Sequence, residues 1–327
     1  MRILLSANHR YPAFEAEGAG FLPLKYPSGS GYHVHDLLAR GLAESGHEVF
    51  YLLRGGWSTR LPCGVVPVAE PVLNVDLYHS VLIPGIHEDV LRIISNNGCP
   101  WVATCHLDRS RTGPPSLPNW IFVSRHLARA HGRDRYVWNG IDPDEYVFSE
   151  TKQEYLLFIS SMEHAPEKGL DTALRLSRLQ GFPLVVAGSA RTAEAIAEVR
   201  RLCQSYGAEY LGDVRGTRKA DLIAGAKALL FPSLLNEGCP IAILEALASG
   251  TPVISSSVGG CAEILTARTG FLCHSMDDFS TAIDRVHQIS PRDCRRDAVE
   301  RFHYRRMTAD YIREYELETA ATAREAR

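Results

Sequence analysis

The chain has 327 residues, 45% of them hydrophobic and 22% charged, with a formal net charge of -3. That length and balance predict a soluble globular protein of two domains, and the charge gives no overall attraction to nucleic acid. The eight cysteines form no C-x-x-C pair, which argues against a disulfide framework and for reduced, mostly structural thiols. Met1-Arg-Ile-Leu-Leu is too short an apolar run for a signal peptide or membrane span. It reads as a first buried strand, and a cytoplasmic location is expected.

In chain order, apolar runs predict strands at 3–6, 48–53, 77–83, 101–105, 120–123 and 136–138. Between the first two, a helix is expected from Tyr32 to Ser45, because Val34, Leu37, Leu38 and Leu42 recur at spacings of three and four and so share one face. Asn139-Gly140, with Pro143 after it, is a turn at which the chain can change domain. The second half repeats the pattern. Strands are expected at 155–159, 184–187, 209–211, 228–231 and 252–255, with helices at 170–180, 192–206, 218–224 and 240–249. Strands alternating with helices indicate parallel sheets, and two doubly wound halves imply a cleft, with ligands at the C-terminal ends of the strands. From about Pro291 onward charge rises, and Phe302, Tyr304, Met307, Tyr311 and Tyr315 lie at helical spacing. The end after Glu316 is expected to fray.

The most informative stretch is Glu237-Gly-Cys-Pro-Ile-Ala-Ile-Leu-Glu245, continuing to Gly250-Thr-Pro252. Pro240 suits a first helical position and Gly250 followed by Pro252 stops the helix. The N-terminus of such a helix favours an anion such as a diphosphate. Glu237 precedes that end and Glu245 lies past the first turn, roughly 10 Å apart at the helical rise. A carboxylate accepts from two neighbouring hydroxyls at once, as a sugar or ribose diol presents them.

With its further motifs the chain resembles glycosyltransferase family 4, retaining nucleotide-sugar-dependent transferases of GT-B fold marked by a glutamate, seven residues and a second glutamate. Asn139-Gly-Ile-Asp142 resembles the passage between the family's domains. Glu167-Lys168-Gly169 resembles its Lys-Gly phosphate contact, Val185-Val-Ala-Gly188 the strand that follows, and Gly259-Gly260-Cys-Ala-Glu263 its glycine-rich turn and glutamate. Gly29-Ser-Gly31, followed by Gly46-His-Glu-Val, resembles the opening loop, helix and second strand. The likeness covers essentially the whole chain and is most specific in its second half. It implies an acceptor-side domain at 1–140, a nucleotide-sugar domain at 141–295 and a final segment, 296–327, whose helix returns to the first domain.

The resemblance implies roles for individual residues. Glu237 would contact the donor sugar, Glu245 the ribose and Lys168 the diphosphate, with Gly29, Gly31, Gly188, Gly238, Cys239, Pro240 and Ile241 shaping the binding surface. His106, after the strand at 101–105, stands where the family has a histidine near the donor sugar, with a positioning role favoured over proton abstraction. His79 matches another recurrent histidine, for which packing is the simpler role. His33 and His35, two apart on a helix, face different ways and do not suggest a metal pair. Cys239 and Cys261 have no partner base and are expected to matter for their small size. Where the family commonly has Gly-Arg, this chain has Ser160-Ser161, so an arginine is missing at Ser161. His164 and Arg191 are the candidates to replace it.

The activity implied is hexosyl transfer from a nucleoside diphosphate sugar, UDP favoured, to an acceptor hydroxyl, without metal or cofactor. A peripheral membrane contact is expected only if the acceptor is a lipid. Three other activities fit part of the pattern. A GT-B epimerase or phosphorylase would share the architecture, and a catalytically silent binding homologue is motivated by Ser161. A nicotinamide-dependent oxidoreductase rests on Gly29-Ser-Gly31 alone, which lacks the full G-x-G-x-x-G pattern and its downstream acid.

Overall fold

Runs such as Ile3-Leu4-Leu5 and Val49 to Leu53 are apolar on both faces of a strand, and a sheet can hold them only if helices cover both sides. The computed structural model, which describes residues 1–13, 31–82, 97–108 and 116–325, has that construction twice. By its internal contacts the chain divides into a first unit ending at Asp142 and resuming at Phe302, and a second unit from Pro143 to Arg301.

In the first unit six parallel strands are ordered β3-β2-β1-β4-β5-β6. They are β1 (Arg2–Ala7), β2 (Glu48–Leu53), β3 (Val65–Val68), β4 (Leu77–Leu82), β5 (Trp101–Cys105) and β6 (Trp120–Phe122). Helix α1 (Gly31–Glu44) buries Val34, His35, Leu37, Leu38 and Leu42, so the expected apolar face is present and carries a histidine. Helix α2 (Arg125–Ala130) is started by Ser124, whose hydroxyl accepts from the Leu127 N–H. The strand expected at 136–138 is absent. Tyr136 forms only an isolated bridge to Phe122. Residue 83 of the expected fourth strand lies outside the described residues.

In the second unit the order is β12-β11-β10-β7-β8-β9. The strands are β7 (Leu156–Ile159), β8 (Leu184–Ala187), β9 (Glu209–Tyr210), β10 (Ala228–Phe231), β11 (Val253–Ser256) and β12 (Gly270–Cys273). The helices are α3 (Leu170–Gln180), α4 (Ala193–Tyr206), α5 (Gly216–Gly225), α6 (Ile241–Ala248), α7 (Cys261–Ile264), α8 (Met276–Arg285) and α9 (Pro291–Phe302). The chain reverses direction across this sheet between β7 and β10. Doubly wound sheets bind ligands at such a switch point, beyond the strands' carboxyl ends. The loops after β7 and β10 contain Lys168 and Glu237.

The last helix, α10 (Tyr304–Glu325), belongs to the first unit. It buries Tyr304, Met307, Tyr311 and Tyr315, four of the five residues expected at helical spacing; the fifth, Phe302, is buried too but ends α9. It packs on α1 closely enough that a Cβ on Gly41 would lie 2.1 Å from the Thr308 hydroxyl oxygen. Among the described residues no helix is long and apolar enough to cross a membrane.

Candidate functional site

Three loops of the second unit meet at its switch point, held by glycines that no other residue could replace. Gly169 has φ +82°, and a Cβ there would lie 2.0 Å from the Pro232 carbonyl oxygen. A Cβ on Gly260 would come within 1.7 Å of the Gly238 carbonyl oxygen. Backbone bonds complete the assembly: Leu234 donates to Glu167 at 2.8 Å and Gly260 to Glu237 at 2.7 Å. The requirement for glycine at these points is therefore one of backbone contact.

This packing brings together two residues predicted from sequence. Lys168 Nζ lies 2.5 Å from Glu237 Oε1, with the side chains 20% and 13% exposed. Ser233, which sequence reasoning missed, donates its hydroxyl to the same oxygen at 2.9 Å. Oε2 has no partner among the described residues. Two donors hold one carboxylate oxygen and leave the other available to a ligand.

Helix α6 follows directly. Pro240 is its N-cap, not its first residue, with φ -68° and ψ 116°, and no side chain caps the helix. The helix is one residue shorter at each end than expected, because a ψ in the extended range takes Pro240 out of the helix. In its first turn Ile243 donates its N–H to the Pro240 carbonyl at 3.1 Å, and the N–H groups of Ile241 and Ala242 are left to a ligand or water. Gly238 and Cys239 are buried in the loop leading to this end.

Glu245 is not open to solvent. Lys219 on α5 donates to both its carboxylate oxygens, at 2.7 and 2.9 Å, and the two side chains are only 5% and 3% exposed. Lys219 was not singled out from the sequence. A lysine at a helix start reads as solvated, and only the fold places it opposite a carboxylate. Ser161 is exposed and begins a short 3-10 turn, Met162–His164, without capping it. His164 and Arg191 are also exposed, and the Arg191 backbone N–H donates to the Glu163 carboxylate. Gly188 has a structural reason of its own. A Cβ there would meet the Ser160 carbonyl oxygen at 1.8 Å. Burial pushes the Cys261 thiol up to about 11, which makes it inert as a nucleophile.

In the first unit Gly31 opens α1, while Gly29 lies outside the described residues. His106 follows β5, and its Nε2 lies 3.0 Å from Nε2 of His35. Burial lowers the His106 pKa to about 4. Burial first, then His106, His79 and His9, hold His35 well below the usual range. His79 is fully buried, bonded at 2.7 Å to both Tyr315 on α10 and Thr104 on β5. It ties sheet to helix, and burial with the nearby His106 lowers its pKa to about 3. His9 pairs with Asp36 at 2.8 Å. Among the described residues no group of three or more His, Cys, Asp and Glu side chains could hold a metal ion.

Two parallel six-stranded sheets, each reversing at a switch point and joined by a final helix returning to the first unit, define a GT-B fold. Residues 153–288 match the model of the family described as glycosyl transferases group 1. The D-rhamnosyltransferase WbpZ of Pseudomonas aeruginosa is 30% identical over 156 residues, 43% of this chain and 40% of its own length. The chain's matches span about half the length or less of the first curated relatives, 54% at most. Among solved structures, AviGT4, a glycosyltransferase involved in avilamycin A biosynthesis, has a TM-score of 0.75 at 24% identity, covering 98% of this chain and 99% of that one. Anabaena HepE, solved in complex with UDP, has a TM-score of 0.67 at 14% identity, covering 97% and 100%.

Proposed function

We propose that the protein is a retaining glycosyltransferase that moves a hexose from a nucleoside diphosphate donor to an acceptor hydroxyl, the second unit carrying the donor and the first the acceptor side. The observation that carries this reading is the Lys168–Glu237 pair, poised before the uncapped start of α6 with one carboxylate oxygen unpartnered. Lys168 and the N–H groups of Ile241 and Ala242 at the start of α6 supply positive charge where the leaving diphosphate gains negative charge, a preorganised electrostatic effect. Glu237 Oε2 accepts from the sugar's hydroxyls. The bond from the anomeric carbon to the phosphate oxygen breaks as the acceptor oxygen bonds on the same face, and the departing phosphate takes the acceptor's proton. No side chain forms a covalent intermediate, and no metal ion is required. Glu245, held by Lys219, has further lone pairs for the ribose hydroxyls. UDP is the favoured nucleotide, a reading supported by HepE having been solved with it.

The test is product analysis across a panel of nucleoside diphosphate sugars and acceptors, with excess EDTA present. Free nucleoside diphosphate and a glycoside of retained anomeric configuration are expected. An inverted glycoside, or an epimerised sugar nucleotide with no glycoside, would overturn the proposal.

A further inference from the structure

The ring nitrogens of His35 and His106 bond to each other and to nothing else among the described residues. Their Nε2 atoms are 3.0 Å apart, and the rings meet edge to face with centroids 5.1 Å apart and planes at 83°. Between two neutral imidazoles such a bond forms only if one Nε2 carries a proton and the other is bare.

Which is which follows from the far side of His35. That residue is 1% exposed, and its Nδ1 is buried without a hydrogen-bond partner. A proton on Nδ1 would be a buried donor with no acceptor, and orphaned buried N–H groups are rarer and costlier than under-satisfied acceptors. Nδ1 is therefore bare, and the proton of neutral His35 sits on Nε2, where it donates to His106. His106 then accepts on Nε2 and carries its own proton on Nδ1.

A charged form of the pair is disfavoured, since burial lowers both pKa values and no carboxylate bonds to either ring. The nearest other imidazole, His79, stands 6.4 Å from His35 between ring centroids, and both its nitrogens are engaged by Tyr315 and Thr104. It offers the pair no alternative partner. Beside His106, Gly31 presents no side chain. A Cβ there would lie 3.8 Å from Nδ1 and Cε1, in van der Waals contact with the ring, so the glycine leaves the approach to Nδ1 less crowded.

We infer that His35 is a positioning residue that holds His106 in the Nδ1-protonated tautomer, so that His106 meets its ligand as a hydrogen-bond donor and not as a base. The ligand atom is then a sugar hydroxyl oxygen. This last step rests on the proposed transfer reaction, whereas the tautomer does not.

Two measurements keep those apart. In ligand-free protein labelled with 15N-histidine, two-bond proton–nitrogen correlations report which ring nitrogen is protonated, and the loss of signals in His106→Gln assigns them. Wild-type His106 should be protonated on Nδ1. His35→Gln, whose amide can still donate, should keep that state, and His35→Leu should lose it. In the transfer assay His35→Leu should lower kcat/KM by roughly two- to tenfold, the worth of one hydrogen bond, with His35→Gln restoring most of it. A wild-type His106 protonated on Nε2 would overturn the inference at its root. The expected tautomers with equal activity in both variants would instead overturn the role of His106 as donor to the sugar.

Discussion

Replacing Glu237 by glutamine keeps the shape of the side chain and removes the charge facing Lys168 Nζ at 2.5 Å. A hydrogen bond between charged groups contributes about 1.5–3 kcal/mol net. With the side chains 20% and 13% exposed, solvent screens it in part, and a loss of about 1–2 kcal/mol of stability follows. For a domain of this size that lowers Tm by roughly 2–8 °C. The effect on turnover should be larger than that modest loss suggests. If Oε2 holds a sugar hydroxyl in the transition state, exchanging a charged acceptor for a neutral one costs a further 1.5–3 kcal/mol or so, at least about tenfold in rate. Binding of nucleoside diphosphate should survive or tighten, because Lys168, freed from its carboxylate, can turn fully to the phosphates. Initial rates of diphosphate release and calorimetric titration of the same preparation separate the two effects. Activity within twofold of wild type, or affinity falling in step with rate, would refute the assignment of Glu237 to the sugar.

The Lys219–Glu245 pair gives a second test. Lys219→Met strands a buried carboxylate and should cost about 3–5 kcal/mol in chemical denaturation, while Lys219→Met with Glu245→Leu should recover most of it. If Glu245 also binds ribose, the recovered double variant will still bind nucleoside diphosphate more weakly; unimpaired binding would leave the pair as a staple between α5 and α6. Stability should also fall with acidification. His79 and His106 titrate near 3 and 4 against 6.5 unfolded, so the unfolded chain binds more protons below about 6.5. Each then removes about 1.4 kcal/mol per pH unit, with full stability kept above that pH. Urea unfolding at pH 7.5 and pH 5 measures the slope, and His79→Gln should flatten it; an unchanged slope would contradict the burial argument. Ser161→Arg, at an exposed position beside the Lys168 loop, should tighten nucleoside diphosphate binding with a steeper salt dependence. Equal affinities at two salt concentrations would show that this position does not face the phosphates.

Much of this architecture was legible because its signals are local. Alternating strands and helices and Gly250 after α6 act over a few residues, whereas Thr192, expected as the first residue of its helix, is the cap before α4. Two strands went unpredicted for physical reasons. β3 contains Pro67, tolerated because β3 is an edge strand, and β12 is a four-residue edge strand beginning at Gly270. The site divides the same way. The carboxylate spacing and the lysine before a glycine could be read directly, as could the glycine pair that seats the Glu237 loop. Ser233, Lys219 and His35 could not, because each acts on a partner far off in sequence that only the fold brings within hydrogen-bond distance. Pro240 was misplaced by one residue because proline suits both the cap and the first turn.

The proposed transfer requires a diphosphate to bind at the start of α6 beside Lys168. Calorimetric titration of nucleoside diphosphates against the matching monophosphates and nucleosides, on wild type and Lys168→Met, tests it directly. One nucleoside diphosphate should bind with one-to-one stoichiometry, more tightly than its monophosphate, and lose at least about tenfold in affinity in the variant, the worth of one charge-assisted contact. No binding by any nucleoside diphosphate, or binding that Lys168→Met leaves unchanged, would contradict the account.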